Sequence, residues 1–124
     1  MTMRYQQGVP SPLSFIVKRG NLGQLAPSAT TYTTLYEPAE GISAEAYVVV
    51  ANRGGSASTF RISLDTDGSG TTPATKEFVV YDVSLANADT WESPIYTIGQ
   101  EGRIRVYASS GDLSFNALGV EYVG

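Results

Sequence analysis

The sequence predicts an all-β fold, a single antiparallel β-sandwich of about eight strands. Three observations carry that expectation. Apolar residues recur at a spacing of two or in short unbroken runs, and nowhere over a useful helical period. The runs are rich in Val, Ile, Tyr, Phe and Thr, the side chains that fit a pleated surface. Gly, Pro, Asn and Asp interrupt them about every 8–15 residues, the rhythm of hairpins. No repeat and no heptad pattern is present. The 124 residues suffice for one core. The expected division is an N-terminal arm over 1–12 and a sandwich over 13–124.

The first expected strand covers 13–18, with Leu13, Phe15 and Val17 on one face. The second covers 30–37 and the third 43–51. The fourth covers 59–65 and turns Phe60, Ile62 and Leu64 inward. The fifth to eighth cover 76–83, 93–98, 103–109 and 113–123. Asn52-Arg53-Gly54-Gly55 is expected to supply positive-φ residues between strands three and four, and Ser109-Ser110-Gly111-Asp112 to do so between the last two. Pro10, Pro12, Pro27 and Pro38 fall outside the strands, and Pro94 opens the sixth.

Three stretches carry more apolar residues than a half-buried strand requires. Ala46 to Ala51 and Phe78 to Tyr81 offer apolar groups to both sides. In the last strand Leu113, Phe115 and Ala117 alternate, and then Leu118, Val120 and Tyr122 continue in the opposite phase. A bulge near 117–119 would turn both sets inward; otherwise the strand is covered on both faces. The surplus is expected to meet another subunit, sheet against sheet.

Composition excludes much chemistry. His and Cys are absent. There is therefore no disulfide, no imidazole or thiolate metal site, no Cys nucleophile and no Ser–His pair. Neither a dinucleotide fingerprint nor a P-loop occurs, and no carboxylate pair stands out by spacing. The chain is expected to be no enzyme and to need no cofactor. Charged residues make up 16%, against about 25% in an average soluble protein. The net charge of −4 argues against a nucleic-acid partner. The apolar run 46–51 is too short to cross a bilayer. The polar start lacks a signal-peptide core, so synthesis and folding in a cytoplasm are expected. The charge is divided: residues 1–36 hold Arg4, Lys18 and Arg19 and no acid, whereas 37–124 hold five bases and twelve acids. The division is either chance in a lightly charged chain or a basic arm that docks on an acidic neighbour, and 1–12 is either a disordered terminus or an extended arm that adds to a neighbour as a strand.

Several groups are candidates for chemistry or recognition. Asp65-Thr66-Asp67-Gly68-Ser69-Gly70 matches the opening of a calcium loop, but position twelve is Lys76 and the flanks are strands. A plain polar turn is the alternative. In Arg103-Ile104-Arg105-Val106-Tyr107 the period of two puts Ile104 and Val106 inward and Arg103, Arg105 and Tyr107 on one outer face. That face is either a solvated stripe paired to Glu77 or Glu121, or a recognition stripe, since Arg and Tyr are enriched at binding hot spots. Tyr32, Thr34 and Tyr36 form a second stripe, and with Trp91 they could stack on sugar rings or serve as core and interface.

The C-terminal half carries a resemblance. Lys76-Glu77-Phe78-Val79-Val80-Tyr81-Asp82-Val83 and Ala86-Asn87-Ala88-Asp89-Thr90 precede Ile98-Gly99-Gln100-Glu101-Gly102-Arg103-Ile104-Arg105-Val106-Tyr107-Ala108-Ser109. Leu113-Ser114-Phe115-Asn116-Ala117-Leu118-Gly119-Val120-Glu121 closes the run. Over roughly 44–122 this resembles small all-β structural proteins of tailed bacteriophages, which pair a "G-D-x-I-x-V-Y-A-S" strand with an "S-F-x-x-x-G-x-E" strand. Here the acid-bearing turn departs from that pattern as Gln100-Glu101-Gly102. The Ala51-Asn52-Arg53-Gly54-Gly55 turn also resembles that class.

The resemblance implies a jelly-roll sandwich, with an immunoglobulin-like sandwich as the alternative. It implies a virion protein made in the host cytoplasm: a capsid decoration (cement) protein, or a tail, baseplate or fibre component. The implied partners are the major capsid protein or another virion protein, and further copies of the chain, a homotrimer above all. No catalytic residue is implied. The expected contacts are Arg4, Tyr5, Arg103, Arg105 and Tyr107.

Overall fold

A computed structural model describes residues 16–68 and 70–123. Among them run β1 (Ile16–Leu25), β2 (Thr33–Tyr36), β3 (Ile42–Asn52), β4 (Ser58–Asp65), a 3-10 turn (Thr75–Glu77), β5 (Phe78–Leu85), β6 (Thr90–Glu92), β7 (Tyr96–Ile98), β8 (Arg103–Ala108) and β9 (Leu113–Val123). The arm expected over 1–12 lies outside the described residues, as do Leu13 and Phe15 of the first expected strand.

The strands form two antiparallel sheets packed as a sandwich. One has the order β1-β9-β3-β6, with β7 also paired to β3, and the other the order β2-β8-β4-β5. Only the β4–β5 and β6–β7 connections stay within a sheet; the others cross between layers. The core lies between them and follows the period of two. Ala44, Ala46, Val48 and Val50 of β3 and Ile104, Val106 and Ala108 of β8 are buried. At its centre Phe60 of β4 meets Trp91 of β6 at 5.1 Å and Phe115 of β9 at 6.1 Å, both edge-on. These rings join the sheets, and deleting one such ring typically costs about 3–5 kcal/mol.

The first strand does not end at Lys18 as expected but continues to Leu25, paired along β9; a second departure lies at Pro94. The sequence points to one strand over 93–98; two short ones form on either side of the proline, which has no N–H for the ladder. Ser93 bridges the gap. Its N–H donates to the Val48 carbonyl at 2.9 Å, and its hydroxyl accepts the Val48 N–H at 2.8 Å. The turns also differ. Positive φ among the described glycines falls at Gly20, Gly41, Gly68 and Gly70, not at Gly54, Gly55 or Gly111. Buried Asn52 organises the β3–β4 turn instead: its amide donates to the Ser56 and Leu85 carbonyls, and its oxygen accepts the Gly54 N–H.

The apolar surplus resolves differently in each strand. The β9–β3 ladder runs unbroken from Leu113 to Val123, so β9 has no bulge against β3. The extra residues are in β1: Leu22, between Gly23 opposite Ala117 and Asn21 opposite Leu118, and Val17, between Lys18 opposite Glu121 and Ile16 opposite Tyr122. Leu118, Val120 and Tyr122 therefore remain on the outer face with Tyr47 and Val49 of β3, all half-buried. Glu121, in the inward phase, accepts the Tyr36 hydroxyl at 2.5 Å across the sandwich. Tyr36 itself is turned inward because Leu35 bulges between Thr34 and Tyr36.

Gly119 and Tyr36 offer direct tests of this packing. Gly119 lies opposite Ala46, and an added Cβ would collide with the Glu45 carbonyl and Ala46 Cα. Gly119→Ala is expected to lower unfolding free energy by about 1–3 kcal/mol, measured by urea denaturation. Burial, then the hydrogen bond and charge of Glu121, raise the Tyr36 phenol above its ordinary 10.0. The stability this group contributes is complete below about pH 10, where the unfolded chain also keeps the proton, and is lost as pH rises towards the folded value. Tyr36→Phe should flatten that alkaline loss in thermal melts across pH, while costing about 1–3 kcal/mol at neutral pH through the lost bond to a charged group.

Candidate partner-binding face

The outer face of the β2-β8-β4-β5 sheet concentrates the polar and aromatic side chains that the core does not use. Cross-strand register sets its rows: Arg61 opposite Tyr107, Ser63 opposite Arg105 and Asp65 opposite Arg103. The face has an ionic end and an aromatic end.

At the ionic end, the Asp65 side chain is fully buried. It accepts the Arg103 Nε–H, and its two oxygens lie 2.9 and 3.1 Å from Arg105 Nη2. Both arginines also donate to the Gly70 carbonyl, at 2.7 and 3.2 Å, which fastens the β4–β5 connection across the face. Glu77 stands 3.8 Å from Arg105 and caps Ala74 N–H at 2.8 Å. Beneath this cover, Ser63 Oγ and Arg105 Nε are buried without a hydrogen-bond partner among the described residues. Buried carboxylates persist when guanidinium groups replace their hydration.

The aromatic end is organised by a bulge. Val80 faces Ile62 and Val83 faces Phe60, so Tyr81 and Asp82 together oppose Arg61. Asp82 takes φ 52°, a left-handed conformation that Asp tolerates better than most residues. The bulge brings the Tyr81 ring and the Asp82 carboxylate to one guanidinium. Arg61 Cζ lies 4.2 Å from the Tyr81 ring centre and 4.4 Å from that of Tyr107. Its Nε and Nη2 donate to Asp82 at 2.6 and 3.2 Å, and its Nη1 donates to the Tyr32 hydroxyl at 2.7 Å. The Arg61 hydrogen bond holds the Asp82 carboxyl below its ordinary pKa of 3.8, and Asp82 in turn raises Arg61. Tyr32 meets Tyr107 at 4.8 Å with the rings tilted by 37° and approaches Phe78 at 6.1 Å, and Phe78 meets Tyr81 edge-on at 5.0 Å. Tyr81 remains 57% exposed, and beside it Thr75, Phe78 and Tyr81 line an open pocket of about 330 Å³.

The expected site residues fall into three groups. Arg103, Arg105 and Tyr107 share the outer face, but the two arginines are spent on Asp65 and Gly70, and Arg105 is buried. Tyr107 belongs to the aromatic cluster. Arg4 and Tyr5 lie outside the described residues. The stripe of Tyr32, Thr34 and Tyr36 is broken by the Leu35 bulge, which leaves Tyr32 at the face and Tyr36 inside. Trp91 packs on Phe60. Asp65 faces guanidinium groups instead of opening a cation loop, and no group of three or more His, Cys, Asp or Glu among the described residues is placed to hold a metal. Sequence reasoning missed Arg61, Phe78, Tyr81 and Asp82 as a unit. The available signal was the inward pair Val80 and Val83 at a spacing of three, which betrays a bulge.

No protein-family model matches the chain, and neither a curated protein nor a solved structure does.

Asp65→Asn is expected to destabilise the fold by about 3–5 kcal/mol, because it leaves two arginines beside an uncharged partner. Chemical denaturation at neutral pH measures this.

Proposed function

We propose that the protein is a capsid decoration (cement) protein of a tailed-bacteriophage virion that binds the outer shell through the Arg61-centred aromatic face. The observation that carries this reading is the Arg61 clamp. It holds Tyr32, Tyr81 and Tyr107 in fixed positions around one charge while Tyr81 stays exposed. Exposed tyrosines fixed before binding are effective anchors, since little side-chain freedom is lost on docking. The action is mechanical, and no catalytic step is assigned. A protein that binds only the assembled shell adds its binding free energy to the resistance against disassembly. The strand order, β1-β9-β3-β6 facing β2-β8-β4-β5, supports the jelly-roll form of the sandwich. Residues 1–12, with Arg4 and Tyr5, are assigned a reaching contact with the shell; the place of action is the virion, after synthesis in the host cytoplasm.

A second reading, a sugar-binding module of a tail, baseplate or fibre, draws on the open pocket beside Phe78 and Tyr81. Trp91 and Tyr36 lend it nothing, because they serve the sandwich interior.

Quantitative mass spectrometry of purified virions separates the readings. Hundreds of copies per particle are expected for cement, a dozen or fewer for a tail or baseplate part, and none would refute a virion role. Tyr81→Ala should weaken binding to capsids lacking the protein by about 2 kcal/mol, with a loss of folding stability of about 1–2 kcal/mol from its contacts with Arg61 and Phe78. Glycan-array binding abolished by the same change would favour the sugar module.

A further inference from the structure

The β1-β9-β3 sheet presents a second outer face. An antiparallel sheet that meets only water carries polar residues on its wet side. Here Leu118 lies beside Tyr47, Val120 beside Glu45 and Asn116 beside Val49, with Tyr122 continuing the row on β9. On the other flank Leu118 lies beside Asn21, Val120 beside Arg19 and Asn116 beside Gln24. The amide of Asn21 donates to Asn116 at 3.0 Å, which fixes these flanking groups on the same side. An apolar and tyrosine strip thus runs along β9 and β3, with a base on one flank and an acid on the other.

The charges are placed in one row. Arg19, Val120 and Glu45 are cross-strand neighbours. Two strand spacings put the backbones of the base and the acid about 10 Å apart, and the two side chains do not pair with each other. Both are exposed, and neither is in an ion pair with another described residue.

We propose that this face is an interface with a second copy of the chain, packed sheet to sheet about a twofold axis along β9. Rotation about an axis parallel to the strands keeps each row at its own height and exchanges the flanks. Arg19 of one copy then meets Glu45 of the other, twice, while Val120 meets Val120 and Leu118 meets Leu118. Tyr47 of each copy faces Asn21 of the other. Such contacts are isologous, the layers pack as aligned sheets about 10 Å apart, and the charge pairs fix orientation and register. A face that complements itself makes pairs, not the trimer that the bacteriophage resemblance implies. The interface lies on the layer opposite the Arg61 cluster, so it stands or falls independently of capsid binding.

Light scattering after size exclusion, from micromolar to near-millimolar protein, tests the interface. The native chain should approach twice its 13.2 kDa as concentration rises. Arg19→Glu and Glu45→Arg each set like charges against one another and should weaken the dimer at least about tenfold. The two changes in one chain restore opposite charges and should return the dimer to near its native strength. Circular dichroism melts check that the single variants remain folded, as exposed substitutions should. A monomer at every concentration, a trimer, or a dimer indifferent to the charge reversals would overturn the proposal. So would a dimer lost in both singles and not regained in the double variant.

Discussion

The desolvated carboxylate of Asp65 is the constraint on which the outer surface depends. A charge with no access to water requires fixed donors on every side, and β8 provides them by placing Arg103 and Arg105 in register beside it. The same guanidinium groups hold the Gly70 carbonyl. The β4–β5 connection is therefore drawn across half of one sheet, and the other half is left open around Arg61. The division of that face into a closed ionic end and an open aromatic end follows from one buried acid.

Much of the fold was legible because period-two alternation is a direct record of which side faces the core. Ile104, Val106 and Ala108, or Leu113, Phe115 and Ala117, can be read straight from the chain, and they are buried. Legibility failed where the period breaks. Leu22, Leu35 and the Tyr81–Asp82 pair each add a residue that shifts the phase of the strand beyond it. Whether an extra residue bulges, and on which strand of a pair, depends on the partner strand, which one segment of sequence does not contain. The site was hidden for the same reason. Arg103 and Arg105 stand out in sequence as an exposed-looking stripe, yet their counter-ion lies 38 and 40 residues away. Arg61 stands alone in sequence and gains its three rings only through register.

The two outer faces use different physics. One fixes its aromatic rings with a guanidinium group held by a bidentate carboxylate, so its side chains are ordered before any partner arrives. The other is an apolar strip whose flanking charges form no ion pair with another described residue. A two-layer sandwich of this size has only two broad faces, and here neither reads as a surface adapted to water alone. The polar interior contacts, such as Tyr36 with Glu121 and Ser93 with Val48, are confined to the ends and edges of the sandwich. The first ties the two layers and the second fastens β6 and β7 to β3 within one layer, and neither interrupts the central rings of Phe60, Trp91 and Phe115.

The left-handed residue at Asp82 has an effect beyond the cluster it organises. β5 is an edge strand, and edge strands offer free backbone groups to any extended chain that drifts past. A bulge in its middle spoils the even spacing of those groups. Tyr81 and Asp82, which shape the face around Arg61, thus also blunt this edge against strand-to-strand fusion.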